Sequence, residues 1–343
     1  MSAIVTPHET NVHPSPGLLM DAMFAYHLTY AVTTAVELGL FTAIEGGATT
    51  PVALAQKCQS DLRATRILLD YLTVKGFLTK TGDAYANTVD TSAFLVQGKQ
   101  KYLGGITGFM GSPNLIHHCD RLTDTVRTGT VGEMDTTDPS TTVWKNFATA
   151  MGSLMIPVAI LVAENVTSPE AGPQTILDVA SSHGMYGTFC LLSNRQAKVI
   201  ANDWPNIVPF SKAGAESFGV GDRLETLGGS AFDVTYPTGL DTILVPNFIH
   251  HFDIPTNTKF LRKCFDALKP AGKVVVVEFV VNEDRVSPPM QGAFAIQMLV
   301  GTPKGDTYTF AEIAQMLTDA GFGPSSRVDS ETIPSTLVIA AKG

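Results

Sequence analysis

The chain is poor in cysteine: four residues in 343, Cys58, Cys119, Cys190 and Cys264, far apart and never in a CxxC pair. That spacing offers neither a disulfide framework nor a zinc site, so four isolated thiols, no metal and a reducing cytoplasm are expected. Positive charge is also scarce. Lys and Arg number 23 against 32 Asp and Glu, a formal net charge of −9, which disfavours non-specific binding to nucleic acid or an anionic membrane. The N-terminus has no basic segment followed by an apolar one, so no secretory signal is read. Apolar runs look too short, or too interrupted by glycine and polar residues, to cross a bilayer. No internal repeat and no low-complexity tract is evident. What is present is 44% apolar residues with only 16% charged ones, the balance of a globular chain long enough for two domains.

Residues 1–16 carry Pro7, Pro14 and Pro16 and read as a loose arm. From Met20 a helical pattern runs through Phe24, Leu28, Val32 and Val36, with His27 beside it. Its apolar face is wide and calls for cover by another domain or subunit; His27 reads either as a ligand contact or as a packed histidine. Residues 49–88 read as helix, turn, helix and hairpin. Thr50 caps a helix with Pro51 at its first position, Ile67, Leu68 and Leu72 mark the second helix, and Thr81-Gly82-Asp83 closes a tight turn. This is a winged-helix pattern. A DNA-reading version needs an exposed basic helix, but Asp61 and Asp70 balance Arg63 and Arg66, so an architectural or dimerisation role is expected.

Residues 92–165 read as mainly helical, with 129–144 as a loop. Phe147, Met151, Leu154 and Met155 share one helical face that suits an apolar ligand cavity, and each also reads as ordinary core. His117 and His118 are adjacent and would diverge on a helix, poor spacing for a shared metal. From residue 173 short apolar runs (175–179, 198–202, 224–227, 241–246, 273–280, 336–341) alternate with helical segments (205–218, 256–268, 309–320). Alternation predicts an α/β fold whose mostly parallel sheet is covered on both faces, with ligand bound beyond the C-terminal strand ends. The domains are expected at 1–16 (arm), 17–167 (helical) and 168–343 (sheet).

The stretch at the centre of this half is TILDVASSHGMYGTF, 175–189: a buried strand, a small-residue turn and a helix start. The turn is not GxGxxG, but its backbone can approach a ligand at the helix N-terminus. The next strand ends at Asp203, placed to hold ribose hydroxyls. The fourth run ends in LVPNFIHHFD, carrying Asn247, His250 and His251, and the fifth ends at Glu278. A histidine beside a carboxylate makes an oriented general base; a structural hydrogen bond and a cap are the alternatives for the two groups.

These residues together resemble the class I S-adenosylmethionine (SAM)-dependent O-methyltransferases with an N-terminal winged-helix dimerisation domain, the type of plant phenolic and bacterial natural-product enzymes. The resemblance covers about residue 18 to the end. LDVASSHGMYG, NDWP, LGGSAFD, FIHHFD, LKPAGKVVVVEFV and TYTFAEIAQMLTDAGF match its motifs in order. It implies a Rossmann-like sheet of seven strands, a homodimer formed through the N-terminal domain, SAM as methyl donor with S-adenosylhomocysteine (SAH) as product, and a small hydroxylated, aromatic acceptor in secondary metabolism. By position, Asp178, Ser182, Gly184, Asp203, Trp204, Ser230, Ala231, Phe232 and Asn247 would hold the donor. His250 would be the base and Glu278 its support. Phe147, Met151, Met155, His251, Met290, Phe294 and Met298 would hold the acceptor. The sequence departs from the pattern at Ala180-Ser181-Ser182, which replace a glycine-rich triplet, at Ser230 and Pro246, and at Thr307, where a second supporting carboxylate is usual. Two rival readings keep the fold but drop methylation, or make the chain a DNA-binding regulator.

Overall fold

The computed structural model describes residues 14–132 and 142–343. Most of the expected arm, and most of the expected loop at 129–144, therefore lie outside the described residues. The chain forms two compact units that divide at Thr107/Gly108.

The first unit holds α1 (Gly17–Glu37), α2 (Leu40–Glu45), α3 (Pro51–Lys57), α4 (Leu62–Val74), a hairpin of β1 (Leu78–Thr81) and β2 (Ala84–Asn87), and α5 (Val89–Phe94). Thr50 and Asp61 start α3 and α4 by accepting Ala53 N–H and Ala64 N–H, which satisfies donors the helix itself cannot. Gly82, at φ +58°, allows the two-residue turn that pairs Thr81 with Ala84. Leu40, Phe41, Leu54, Leu69, Leu72 and Tyr85 form the core. Three basic side chains of this unit are paired: Arg66 and Lys80 with Asp70, and Lys99 with Glu45. Along α1 only Ala35 is buried, while Met20, Met23, Phe24, Tyr26 and Tyr30 stay exposed. His27 is exposed as well, its ring against Phe24 and Tyr26.

The second unit contains α6 (Thr107–Met110, which starts at the division), α7 (Pro113–His117), α8 (Leu122–Thr128), α9 (Thr142–Val166), β3 (Gln174–Val179), α10 (Met185–Ser193), β4 (Ala197–Asp203), α11 (Val208–Ser217), β5 (Leu224–Gly228), β6 (Leu240–Pro246), α12 (Ile254–Ala267), β7 (Leu268–Glu278), α13 (Pro289–Gly301), α14 (Phe310–Asp319), β8 (Ser326–Val328) and β9 (Thr336–Ala341). The seven-stranded sheet has the order β5-β4-β3-β6-β7-β9-β8. β3 to β7 run parallel, and β9 is antiparallel to β7. The chain winds outward from β3 to β5, returns, and continues on the other side from β6, so the sheet switches direction between β3 and β6. Leu177, Val179, Ile243, Val245 and Val276 share a core with α12 and α14. The alternate residues, Asp178 among them, face the other side of the sheet, where α10 lies and Gly187 N–H meets the Asp178 carboxylate.

Two expectations need correction. The division falls at 107/108 and not at 167/168, because α9 packs against α10 and belongs with the sheet. And α9, with 25 residues, is long and apolar enough to cross a bilayer, contrary to the reading of the apolar runs. One face of it is buried in the fold, through Met151, Met155, Ala159, Val162 and Val166. The sequence also gave no sign of β8, a three-residue edge strand with mostly exposed side chains.

Candidate active site

The parallel order brings the C-terminal ends of β4, β3, β6 and β7 side by side. The turn after β3, Asp203 at the end of β4, the segment Asn247–His251 after β6 and Glu278 at the end of β7 all sit on that edge.

The turn after β3 has an unusual backbone. Ala180 (φ +49°) and Ser182 (φ +47°) are both left-handed, as is Gly184 (φ +72°). A β-carbon costs conformational energy there, and a glycine would relieve it. Gly184 has a second constraint: a β-carbon on it would lie 2.7 Å from Ser211 Cα. The turn is tied to its neighbours. Ser182 N–H donates to Asp203 Oδ2 at 2.8 Å, Ser181 N–H to the Asn202 carbonyl at 3.0 Å, and Ser211 Oγ to the Ser182 carbonyl at 2.8 Å. Met185 N–H donates to His183 Nδ1 at 3.1 Å, and Gly187 N–H to Asp178 Oδ2 at 3.0 Å. Several of the amides expected to face a ligand are thus taken by the protein itself.

Three side-chain oxygens around the turn are buried and have no hydrogen-bond partner among the described residues: Asp178 Oδ1, Ser182 Oγ and Asn247 Oδ1. Burial pushes the Asp178 carboxyl up to about 8, only partly offset by the Gly187 amide. Burial also raises Asp203, to about 6, against the lowering effect of the Ser182 and Trp204 amides. Asp203 spends one lone pair of each oxygen on these amides, leaving others for hydroxyl donors. Beyond β5, Ser230 Oγ accepts Phe232 N–H, and the Ala231 carbonyl takes Tyr236 OH and Lys263 Nζ. The Phe232 ring packs in a cluster, tilted against Phe248 and edge-on to Phe252 and Phe260.

Past the end of β6 the chain turns sharply. Asn247 adopts φ +49°, and its Nδ2 donates to Tyr186 OH at 2.9 Å, which in turn faces Met155 Sδ at 3.4 Å. A short 3-10 turn, Ile249–His251, follows. His250 is buried, with Nδ1–H donating to Glu278 Oε2 at 2.6 Å and its backbone N–H to Oε1 at 3.3 Å. A carboxylate only accepts, so in the neutral imidazole this contact selects the tautomer with its proton on Nδ1 and its lone pair on Nε2. The Phe294 ring meets the His250 imidazole edge-on at 5.2 Å, and Phe279 backs Phe294 at 4.6 Å.

Rings connect the His250 region to the turn after β3. His251 lies 5.5 Å from Trp144, Trp144 6.1 Å from Phe147, and Phe147 6.2 Å from His183 in a near-parallel stack. Burial holds the His183 imidazole down at about 4 and His251 well below the usual range, the latter also through its neighbour His250. Both are neutral at pH 7. Met151, Met155 and Met298 are buried, but Met290 is 54% exposed. The sequence reading did not single out His183, Tyr186, Trp144, Asn202 or Ser211. His183, Tyr186 and Asn202 lay inside quoted motifs, and Trp144 stands one helical turn before Phe147; Ser211 gave no signal. His117 pairs with Asp120, and His118 Nδ1 is buried without a partner among the described residues. Among the described residues no group of His, Cys, Asp and Glu could hold a metal ion.

Comparison with known proteins gives this arrangement a context. Residues 132–323 match the model of the O-methyltransferase domain, and residues 20–97 that of the O-methyltransferase dimerisation domain. A 3-hydroxy-5-methyl-1-naphthoate 3-O-methyltransferase of Streptomyces sahachiroi is 28% identical over 315 residues, 89% of each chain. A crystal structure of a candidate O-methyltransferase from Nostoc punctiforme superposes with a TM-score of 0.92 at 38% identity, covering 96% of this chain and 100% of the other. Human N-acetylserotonin methyltransferase, solved in complex with SAM, shares the fold at a TM-score of 0.83 and 21% identity, over 97% and 99% of the two chains. With the family models spanning both units and a 38% identical structure matched along nearly the whole length, the chain belongs to the O-methyltransferase family.

Proposed function

We propose that this enzyme transfers a methyl group from SAM to the hydroxyl of a small aromatic acceptor, with His250 as general base and Glu278 as the carboxylate that orients it. The observation that carries the reading is the buried His250–Glu278 contact of 2.6 Å at the ends of β6 and β7, on the same sheet edge as the donor turn.

The residues around that turn fit SAM. Asp203 keeps lone pairs for the ribose hydroxyls, and the unpartnered Asp178 Oδ1, Ser182 Oγ and Asn247 Oδ1 offer polar atoms to an amino-acid moiety. Gly184, Trp204, Ser230, Ala231 and Phe232 complete the set that would hold the donor. When bound, SAM supplies an electrophilic sulfonium methyl. A phenol has a pKa of about 10, so little phenolate exists at neutral pH. His250 Nε2 takes the hydroxyl proton as the oxygen attacks, and Glu278 stabilises the imidazolium through Nδ1; such a base contributes on the order of 10² to 10⁴ in rate. Phe147, Met151, Met155, Phe294 and Met298, with His251 and the more exposed Met290, supply apolar surface that excludes water from the acceptor. The bared apolar face of α1, within the dimerisation domain, supports a homodimer in which a second copy covers it. Four free thiols fit a reducing, cytoplasmic setting.

The test is product formation from SAM with a panel of phenols and naphthols. His250→Ala should lose at least about 100-fold in kcat while keeping its affinity for SAH. A variant that binds SAH and turns over like the parent would remove the base assignment.

A further inference from the structure

We propose that the turn Thr302–Asp306 is a positioning strap that fixes the backbone under His250 and so keeps its imidazole in register with Glu278. This rests on the assignment of His250 as base.

The need for a strap follows from the topology. Pro246 ends β6, and the last ladder contact is Asn247 N–H to the Val277 carbonyl. His250 therefore sits three residues beyond the sheet, in a short 3-10 turn. Glu278 holds it from one direction only, through the ring and the backbone N–H.

The opposite direction is covered by the strap. Asp306 N–H donates to the His250 carbonyl at 3.0 Å. The approach requires glycine beside it: a β-carbon on Gly305 would lie 2.3 Å from the His250 carbonyl oxygen and 2.4 Å from Thr302 Oγ1. Thr302 is 2% exposed and sets the shape of the turn. Its Oγ1 accepts Gly305 N–H at 2.7 Å and donates to the Met298 carbonyl at 2.7 Å. Met298 lies on α13, and one turn earlier the same helix carries Phe294, whose ring touches the His250 imidazole. One connected piece of chain thus reaches the base twice, at its carbonyl and at its ring. Its far side is anchored by Arg285, which pairs with Asp306 and Glu312 and donates to the Thr307 carbonyl, and by Lys304 to Asp253.

Thr302 and Gly305 act through His250 and are positioning residues. Base catalysis is steep in geometry; a misplacement of about 1 Å costs about 100-fold. Four variants of the full-length enzyme decide the matter, assayed with SAM and a phenol that the parent methylates. Thr302→Val keeps the shape and loses the hydroxyl; kcat should fall about tenfold, with the KM for SAM and the SAH affinity by calorimetry within about twofold of the parent. Thr302→Ser should restore most of the rate. Gly305→Ala should cost at least about 100-fold, and if it does not fold, the Thr302 pair still decides. Full turnover by Thr302→Val, a parallel loss of SAH affinity, or failure of Thr302→Ser to restore the rate each overturns the strap. His250→Ala separates the two levels. If it collapses turnover and Thr302→Val does not, the strap alone is wrong; if it leaves turnover intact, the base assignment falls and the strap with it.

Discussion

Replacing Ser182 by glycine should make the ligand-free enzyme more stable and bind its donor less well. Three effects set the magnitude. Ser182 sits at φ +47°, and a left-handed backbone costs a non-glycine residue about 1–2 kcal/mol. Glycine surrenders about 0.5–1 kcal/mol of that gain, because its unfolded chain is freer. The Ser182 hydroxyl is buried with no partner among the described residues, and an unmet polar group costs about 1–3 kcal/mol. The net is a gain of about 1–4.5 kcal/mol, which for a unit of this size raises Tm by about 3–13 °C. Ala180→Gly provides the control. It shares the backbone conformation, at φ +49°, but removes no polar atom, so its Tm should move by less than about 3 °C. Scanning calorimetry of both variants without ligand, then with saturating SAH, measures each part. With SAH the advantage of Ser182→Gly should shrink, because a tenfold loss of ligand affinity offsets about 1.4 kcal/mol. The reasoning is refuted if ligand-free Ser182→Gly melts at or below the parent temperature, or if Ala180→Gly gains more.

Two further outcomes are expected. Tyr186→Phe strands the Asn247 amide donor, whose partner is Tyr186 OH at 2.9 Å; titration calorimetry should report about tenfold weaker SAH binding, with the acceptor KM little changed, and unchanged SAH binding would show that Asn247 does not serve the donor. The His183 imidazole is held down from 6.5 to about 4 by burial. Below pH 6.5 the unfolded chain binds this proton and the folded one does not, so stability is lost as pH falls from 6.5 to 4, by up to about 3 kcal/mol. Asp178 and Asp203, raised by burial, act in the opposite sense and gain stability on acidification. The contribution of His183 is therefore isolated by His183→Gln, whose urea stability relative to the parent should improve steadily between pH 7 and 4.5; a constant difference would contradict a neutral buried imidazole.

Much of the fold was legible because it rests on local signals. Strand runs alternating with helical segments specify a parallel sheet, and the Thr50 cap marks the start of its helix. The order of the motifs identified the family, since each motif is short and continuous in sequence. The unit division was misjudged because α9 is apolar on most sides, and an apolar helix does not reveal in its sequence what it packs against.

The sequence by itself determined which chemical groups stand at the strand ends: an acid at 178, another at 203, a histidine at 250, a carboxylate at 278. Only the tertiary structure decided how they are held. His250 and Glu278 are 28 residues apart and meet because β6 and β7 are parallel neighbours. Tyr186 reaches Asn247 across 61 residues, and Asp306 reaches the His250 carbonyl across 56. Such contacts depend on register and on close backbone approach, as at Gly305, and neither is written in local residue patterns. The left-handed Ala180 and Ser182 carry the same lesson, since local preference disfavours that backbone and the surrounding ties to Asn202, Asp203 and Ser211 impose it.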